Sequence, residues 1–308
     1  MQVIKGLKHL PSFPKDCVVA IGNFDGVHLG HRKILQILVR EARKHNLFSL
    51  LLTFSPHPEK VLVGRKPKML QTLNQRLREI EKYGIQIAVV LPFNRRFAGL
   101  SAEEFVRTIV LEKLKAKKII VGENFRFGKN REGDVSKLNA FAAEFHFDIQ
   151  SIPQVAKKDD VVSSSLIREL VQKGDIERAN TLTGRPYEIE GTVIKGKSRG
   201  KNLGFPTANI HSLNDLAPPG VFISEVEIGS KSWPSVTHVG SKPTFNEKDT
   251  HIESYIIGFR NNLYGQRIRI SFLRKIRDEK KFRTPEDLSH QIRKDLESAK
   301  SYFQKKTR

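Results

Sequence analysis

The first half of the chain alternates short apolar runs with segments whose apolar residues recur at helical spacing. Val18 to Gly22 predicts a buried strand, and residues 31–45 follow with Ile34, Leu35, Leu38, Val39 and Ala42 on one helical face. Phe48 to Phe54 predicts a second strand, Thr72 to Tyr83 a helix, and Ile85 to Leu91 a strand. Ser101 with Glu104 three residues on predicts the start of a helix that reaches about Leu114. Lys118 to Val121 reads as another strand, Asp134 to Phe145 as a helix and Asp148 to Ile152 as extended. Strand and helix in turn predict right-handed βαβ units and a mostly parallel sheet, with ligands beyond the carboxyl ends of its strands.

Two short helical patterns, near 164–172 and 175–182, lead to Gly184 and Pro186, which together form a helix stop. The domain boundary is placed there, giving segments 1–183 and 184–308. Beyond it the period changes. Ile189 to Ile194, Val221 to Ile228, Ser235 to Gly240, His251 to Phe259 and Arg267 to Phe272 are alternating or β-branched runs divided by Gly, Pro and Asn turns. They predict a small antiparallel barrel, covered by a final helix from about Pro285 to Phe303. The fold class is therefore α/β followed by a β-barrel.

Hydrophobic residues make up 38% of the chain and charged residues 28%, a globular composition. The longest apolar stretch, Leu47 to Phe54, is far too short to span a bilayer. The first residues hold no apolar segment of the kind a secretory signal needs. Cys17 stands alone, which suits a reducing compartment. A cytoplasmic protein without membrane contact is expected, a monomer or weak homo-oligomer. The net charge of +21 is spread over both halves. It attracts polyanions, nucleotides among them, without naming one.

Chemistry concentrates first in Gly22-Asn23-Phe24-Asp25-Gly26-Val27-His28-Leu29-Gly30-His31, which follows a strand and opens a helix. A helix start offers free backbone N–H groups and a positive dipole end, a natural phosphate site. Its glycines permit close approach, and His28 and His31 lie one turn apart on one side. Two imidazoles there suit a phosphate gaining charge in a transition state. Ser163–Ser165 precede an apolar helix and Arg168 follows as a bidentate phosphate partner.

This decapeptide resembles the signature of nucleotidyltransferases with an HxGH element, and its FDGVH version resembles the adenylyltransferase module of prokaryotic bifunctional riboflavin kinase/FMN adenylyltransferases. Thr53-Phe54-Ser55-Pro56-His57-Pro58, Val121-Gly122-Glu123-Asn124-Phe125-Arg126-Phe127-Gly128 and Ser163-Ser164-Ser165-Leu166-Ile167-Arg168 match further segments of that module. The resemblance implies a Rossmann-like N-terminal domain in which His28 and His31 meet ATP phosphates. It implies that Gly22, Asn23, Phe24, Asp25, Gly30, Asn124, Ser164, Ser165 and Arg168 surround the nucleotide. Phe54, Pro56, His57, Pro58, Asn124, Phe125 and Phe127 would lie near the flavin.

The second cluster runs from Gly191 through a Gly- and Lys/Arg-rich loop to Gly204-Phe205-Pro206-Thr207-Ala208-Asn209. Such a loop can wrap phosphates. Thr207 and Asn209, two apart on an extended segment, share one face and offer hard oxygens suited to Mg²⁺. The stretch resembles the flavokinase hallmark G-F-P-T-A-N, and Leu263-Tyr264-Gly265 and Ile276-Arg277-Asp278-Glu279-Lys280-Lys281-Phe282 recur in that family's order. The resemblance implies that Gly196, Lys201, Gly204, Pro206, Thr207 and Asn209 grip ATP and Mg²⁺. It implies that Glu253 activates the ribityl hydroxyl and that Arg277 contacts the flavin or the transferring phosphate. Lys201 and Lys242 stand where the family commonly has Arg, which keeps the charge but loses the bidentate fork.

The expectation is an enzyme that phosphorylates riboflavin to FMN and adenylylates FMN to FAD, with ATP as co-substrate and Mg²⁺ as cofactor. Two rivals are a nucleotidyltransferase for another acceptor and a basic RNA-binding protein. The basic residues are not interleaved with an aromatic stacking surface, which argues against nucleic acid.

Overall fold

Apolar runs without polar alternation suit a parallel sheet covered on both faces, and the first half of the chain builds one. The computed structural model describes residues 1–9, 16–62, 67–196, 204–241 and 250–306. The strands are β1 (Gln2–Lys5), β2 (Cys17–Ile21), β3 (Phe48–Phe54), β4 (Ile87–Leu91), β5 (Ala116–Gly122) and β6 (Asp148–Ile152). They pair in the order β1-β4-β3-β2-β5-β6, every pair parallel. Helices α1 (Leu29–Lys44), α2 (Leu73–Glu81), α3 (102–113) and α4 (Val135–Phe145) join them.

The pleat sorts the apolar residues between two layers. Val19, Ile21, Leu50, Leu52, Val89 and Val121 pack on one face with Phe105 and Val106 of α3 and Leu138 of α4. Val18, Ala20, Leu51, Ala88 and Ile120 pack on the other with Leu35 and Leu38 of α1 and Leu77 and Ile80 of α2. Ser101 and Glu104 form the expected reciprocal cap of α3. The strand β1 escapes the sequence reading because only Ile4 of its four residues is buried. Cys17 donates to the Leu114 carbonyl at 3.1 Å, and burial pushes its thiol up to about 12, which makes it an inert core residue. The sheet grows from β2 toward β3 on one side and β5 on the other, so the carboxyl ends of β2 and β5 flank a switch point.

After a two-stranded hairpin, β7 (Ala156–Lys157) with β8 (Asp160–Val161), come α5 (Ser164–Lys173) and α6 (Ile176–Thr183). By packing density the chain divides into Met1–Lys68 with Leu73–Ser163, and Met69–Thr72 with Ser164–Arg308. The two helices before residue 184, grouped with the first domain in the sequence reading, thus pack with the barrel. The Asn180 side chain donates to the Phe272 carbonyl at 2.9 Å and accepts from the Tyr187 N–H at 2.6 Å. Glu177 accepts from the Lys275 N–H at 3.2 Å.

The barrel strands are β9 (Tyr187–Ile194), β10 (Ala208–Ser212), β11 (Gly220–Ile228), β12 (Lys231–Ser241), β13 (Thr250–Ile256) and β14 (Arg267–Arg277). They close in the order β10-β13-β12-β11-β14-β9. Phe222, Ile252, Ile270 and Phe272 are buried in it. So is a run of hydroxyls: Ser224 Oγ lies 2.8 Å from Ser235 Oγ and 2.7 Å from Thr237 Oγ1, which donates to Ser254 Oγ at 2.9 Å. All four residues have zero solvent exposure. The final helix α7 (Pro285–Lys306) lays Leu296 and Ala299 against Val221, Ile223 and Val236.

Buried hydroxyls are costly when their partners go. Ser224→Ala should lower stability by about 1–3 kcal/mol, read as an earlier urea midpoint of the fluorescence of Trp233, the one tryptophan, on β12.

Candidate functional site

The loop from β2 to α1 is held from beneath. Asn23 offers its carbonyl to Arg76 Nη1 at 2.6 Å and to Thr53 Oγ1 at 3.2 Å, and Arg76 Nη2 reaches the Phe54 carbonyl at 3.1 Å. Arg76, on α2, is only 3% exposed and Asp25 only 1%. Burial lowers the Arg76 guanidinium from its ordinary value, and the nearby Asp25 charge opposes that shift. Phe24 and Val27 sit at φ 53° and 37°, a left-handed backbone that persists only where surroundings enforce it.

His28 is the N-cap of α1, and its Nδ1 accepts from the His31 N–H at 3.3 Å. The neutral ring therefore carries its proton on Nε2, as a donor. The His28 and His31 rings stack with centroids 3.6 Å apart, and the Phe24 ring lies 5.1 Å from His31. A side chain on Gly30 would meet the His28 ring at 3.2 Å, so the glycine is what lets the pair stack. His57 accepts from the Glu59 N–H through Nδ1 at 3.3 Å, and its Nε2 lies 3.0 Å from the Asn23 amide. The Asn23 atom that meets His57 Nε2 is the amide nitrogen Nδ2, and Asn23 Oδ1 is buried without a hydrogen-bond partner among the described residues.

The structure thus gathers Gly22, Asn23, Phe24, Asp25, His28, Gly30, His31 and His57 around one helix start. Pro56 is exposed, and Ser55-Pro56 is a cis peptide before Pro58. Asn124 and Phe125 follow β5; Asn124 is exposed, and Phe125 is half-buried and stacked on Phe127 at 5.4 Å. Phe127 and Phe54 are buried, and Phe54 packs against Phe93 and Phe97. Ser164, Ser165 and Arg168 open α5 in the second unit.

In the barrel, side-chain alternation separates chemistry from core. Ile252, Ser254 and Ile256 of β13 are buried, while His251, Glu253 and Tyr255 between them stay partly exposed. Glu253 lies directly across from Asn209 on β10 and from His238 on β12. Asn209 is 8% exposed, and its Oδ1 is buried with no hydrogen-bond partner among the described residues. A side chain on Gly196 would meet the Asn209 amide at 2.2 Å, so the loop after β9 lies against this oxygen donor. Thr207, half-buried, leads into β10, Pro206 is exposed and Gly204 has φ 81°. Lys201 and Lys242 fall outside the described residues.

Around Glu253 stand groups the sequence reading left out. His251 Nε2 lies 2.5 Å from Glu253 Oε1, and His238 Nε2 lies 3.6 Å from Glu279 Oε1. Burial lowers the His238 pKa; Glu279 and Glu253 oppose the shift, and Arg277 and His251 add to it. The i, i+2 spacing of His251 and Glu253 on a strand is the signal that would have paired them. Arg277, expected at the flavin, turns its fork to Asp295 on α7, with Nε and Nη2 donating to Oδ2 at 3.0 and 2.9 Å. No pattern in the sequence singled out Arg76 or Asp295, whose partners lie far along the chain.

Comparison with known proteins identifies the family of each half of the chain. The FAD synthetase family matches residues 10–166 and the riboflavin kinase family residues 183–303. The bifunctional riboflavin kinase/FMN adenylyltransferase of Buchnera aphidicola is 36% identical, covering 98% of this chain and 99% of its own. That of Escherichia coli is 35% identical, covering 98% of each. A solved structure from Streptococcus pneumoniae, called a macrolide-efflux protein, is 29% identical with TM-score 0.90 over 97% of this chain and 99% of that one. Among the described residues of this chain, no helix is long and apolar enough to cross a membrane.

Two measurements check the site's construction. Arg76→Ala removes a countercharge of buried Asp25 and two donors from buried carbonyls. It should cost about 3–5 kcal/mol, with Arg76→Lys recovering only part, read by chemical denaturation followed by circular dichroism. His238 is harder to protonate folded than unfolded, so the unfolded chain takes up the proton first. Stability should therefore fall as pH drops below the ordinary histidine value of 6.5. His238→Asn should flatten that dependence of the Trp233 urea midpoint.

Proposed function

The chain belongs to the bifunctional riboflavin kinase/FMN adenylyltransferase family, and we propose that its two residue clusters divide that family's two reactions. The enzyme phosphorylates riboflavin to FMN and adenylylates FMN to FAD, using ATP in both steps.

In the barrel, the ribityl hydroxyl of riboflavin attacks the γ-phosphorus of ATP, and ADP leaves. Glu253 accepts the hydroxyl proton. The observation that carries this assignment is the register that sets Glu253 beside Asn209. An amide oxygen buried without a partner among the described residues, next to a threonine hydroxyl two residues away, fits a hard cation. Thr207 and Asn209 would hold Mg²⁺, which when bound neutralises charge on the phosphates. Gly196, Lys201, Gly204 and Pro206 belong to the loop that grips the triphosphate. Arg277 keeps α7 on the barrel through Asp295.

In the first unit, a phosphate oxygen of FMN attacks the α-phosphorus of a second ATP, and pyrophosphate leaves. The stacked pair His28 and His31 at the α1 N-terminus supports this half: the Nε2–H of His28 and the helix dipole stabilise negative charge on the phosphates. Gly22, Asn23, Phe24, Asp25 and Gly30 shape that cradle, with Asn124 after β5 as a further nucleotide contact; Ser164, Ser165 and Arg168, at the start of α5 in the second unit, stay nucleotide-binding candidates from the sequence. Phe125, half-exposed and flat on Phe127, supplies an aromatic face for the flavin near His57, Pro56 and Pro58. Neither step passes through a covalent enzyme intermediate. The protein is read as cytoplasmic, acting on small molecules as a monomer or weak homo-oligomer; the relatives it matches are bacterial enzymes named for the same two activities.

His31→Ala should reduce FAD formation from FMN by about 10²–10³-fold while riboflavin phosphorylation continues, and Glu253→Gln should do the reverse. Chromatographic separation of riboflavin, FMN and FAD after incubation with Mg-ATP reads both. Equal loss of the two activities in either variant contradicts separate sites.

A further inference from the structure

We propose that His251 is a positioning residue for riboflavin phosphorylation, fixing one oxygen of Glu253 so that the other faces the ribityl hydroxyl. The proposal rests on the reading of Glu253 as proton acceptor.

The sequence places the two residues at i and i+2 of one strand, so both project from the same face of β13. Their side chains meet, with His251 Nε2 2.5 Å from Glu253 Oε1. An ionised carboxylate only accepts hydrogen bonds, so Nε2 carries the proton and donates it. A donor to a charged acceptor at this distance makes a strong, short bond. Glu253 otherwise has freedom about its side-chain bonds, being 29% exposed, and a long carboxylate in water samples many orientations. The histidine bond removes that freedom at one oxygen.

Among the described residues, the neighbours on both adjacent strands turn to other partners. On β10 the cross-strand neighbour Asn209 presents its amide over Gly196. On β12 the neighbour His238 directs Nε2 toward Glu279 at 3.6 Å. Arg277, the nearby cation, donates to Asp295. With Oε1 engaged, Oε2 is the basic oxygen. The hydroxyl proton passes to Oε2 as the new oxygen–phosphorus bond forms and the bond to ADP breaks. His251 keeps its own proton throughout. Orientation of a base within reach of its proton is a geometric requirement on the rate. Outer groups that aim such a residue are commonly worth 10–100-fold.

The test is steady-state riboflavin phosphorylation by the full-length enzyme and by His251→Ala, His251→Gln, Glu253→Gln and the His251→Ala/Glu253→Gln pair. Trp233 fluorescence confirms that the barrel is folded in each. His251→Ala should lower kcat about 10–100-fold with the KM values for riboflavin and ATP unchanged. His251→Gln keeps an N–H donor of similar reach and should recover part of the loss. In the Glu253→Gln background, His251→Ala should add nothing, because the residue acts through the carboxylate. An inactive Glu253→Gln beside a His251→Ala of normal kcat overturns the positioning role alone. So does a raised KM at unchanged kcat, or a full additional loss in the pair. A Glu253→Gln enzyme of normal rate overturns the proton-acceptor reading and this proposal with it.

Discussion

A closed antiparallel ladder fixes each outward side chain against its neighbours on both adjacent strands. That constraint organises the second unit. Once β10, β13 and β12 pair in their observed register, Asn209, Glu253 and His238 stand in one row. The pleat turns Ser254 and Ile252 the other way, into the barrel. A slip by one residue would carry the carboxylate inward and the hydroxyls outward. The linked hydroxyls of Ser224, Ser235, Thr237 and Ser254 have partners only in the correct register, so the polar interior and the chemical face specify each other.

The first unit solves a different problem. The loop proposed to bind phosphate must keep its backbone groups and imidazoles in place although its own backbone is strained at Phe24 and Val27. The solution is a guanidinium beneath it: Arg76 gathers the carbonyls of Asn23 and Phe54 and opposes the buried charge of Asp25. Both units thus place their reactive groups on a surface whose support is polar and buried, where a missing partner is expensive.

Much of this was legible in the sequence. Period and turn chemistry located five of the parallel strands, the Ser101 cap and the barrel, and the Gly22–His31 and Gly204–Asn209 segments point to the surfaces proposed as reactive. What was not legible depends on contacts between distant positions. Arg76 sits in LNQRLREI, where an arginine reads as solvated; only the fold puts it under Asn23. Arg277 reads as a ligand of phosphate or flavin, and only the fold shows that its fork holds Asp295 of α7. Phe125 and Phe127 read equally as core or flavin neighbours, and packing buries Phe127 while leaving Phe125 partly exposed. Helices α5 and α6 follow the first domain in sequence, but Asn180 and Glu177 tie them to β14.

The pairing of β9 has a consequence for how the chain matures. One edge of β9 bonds to β10, which is close behind it, and the other to β14, the last strand to be made. A nascent barrel therefore carries an open seam until β14 leaves the ribosome, and no shortened product can close it. The Arg277–Asp295 clasp forms later still, once α7 has followed β14 and can lie against the barrel wall.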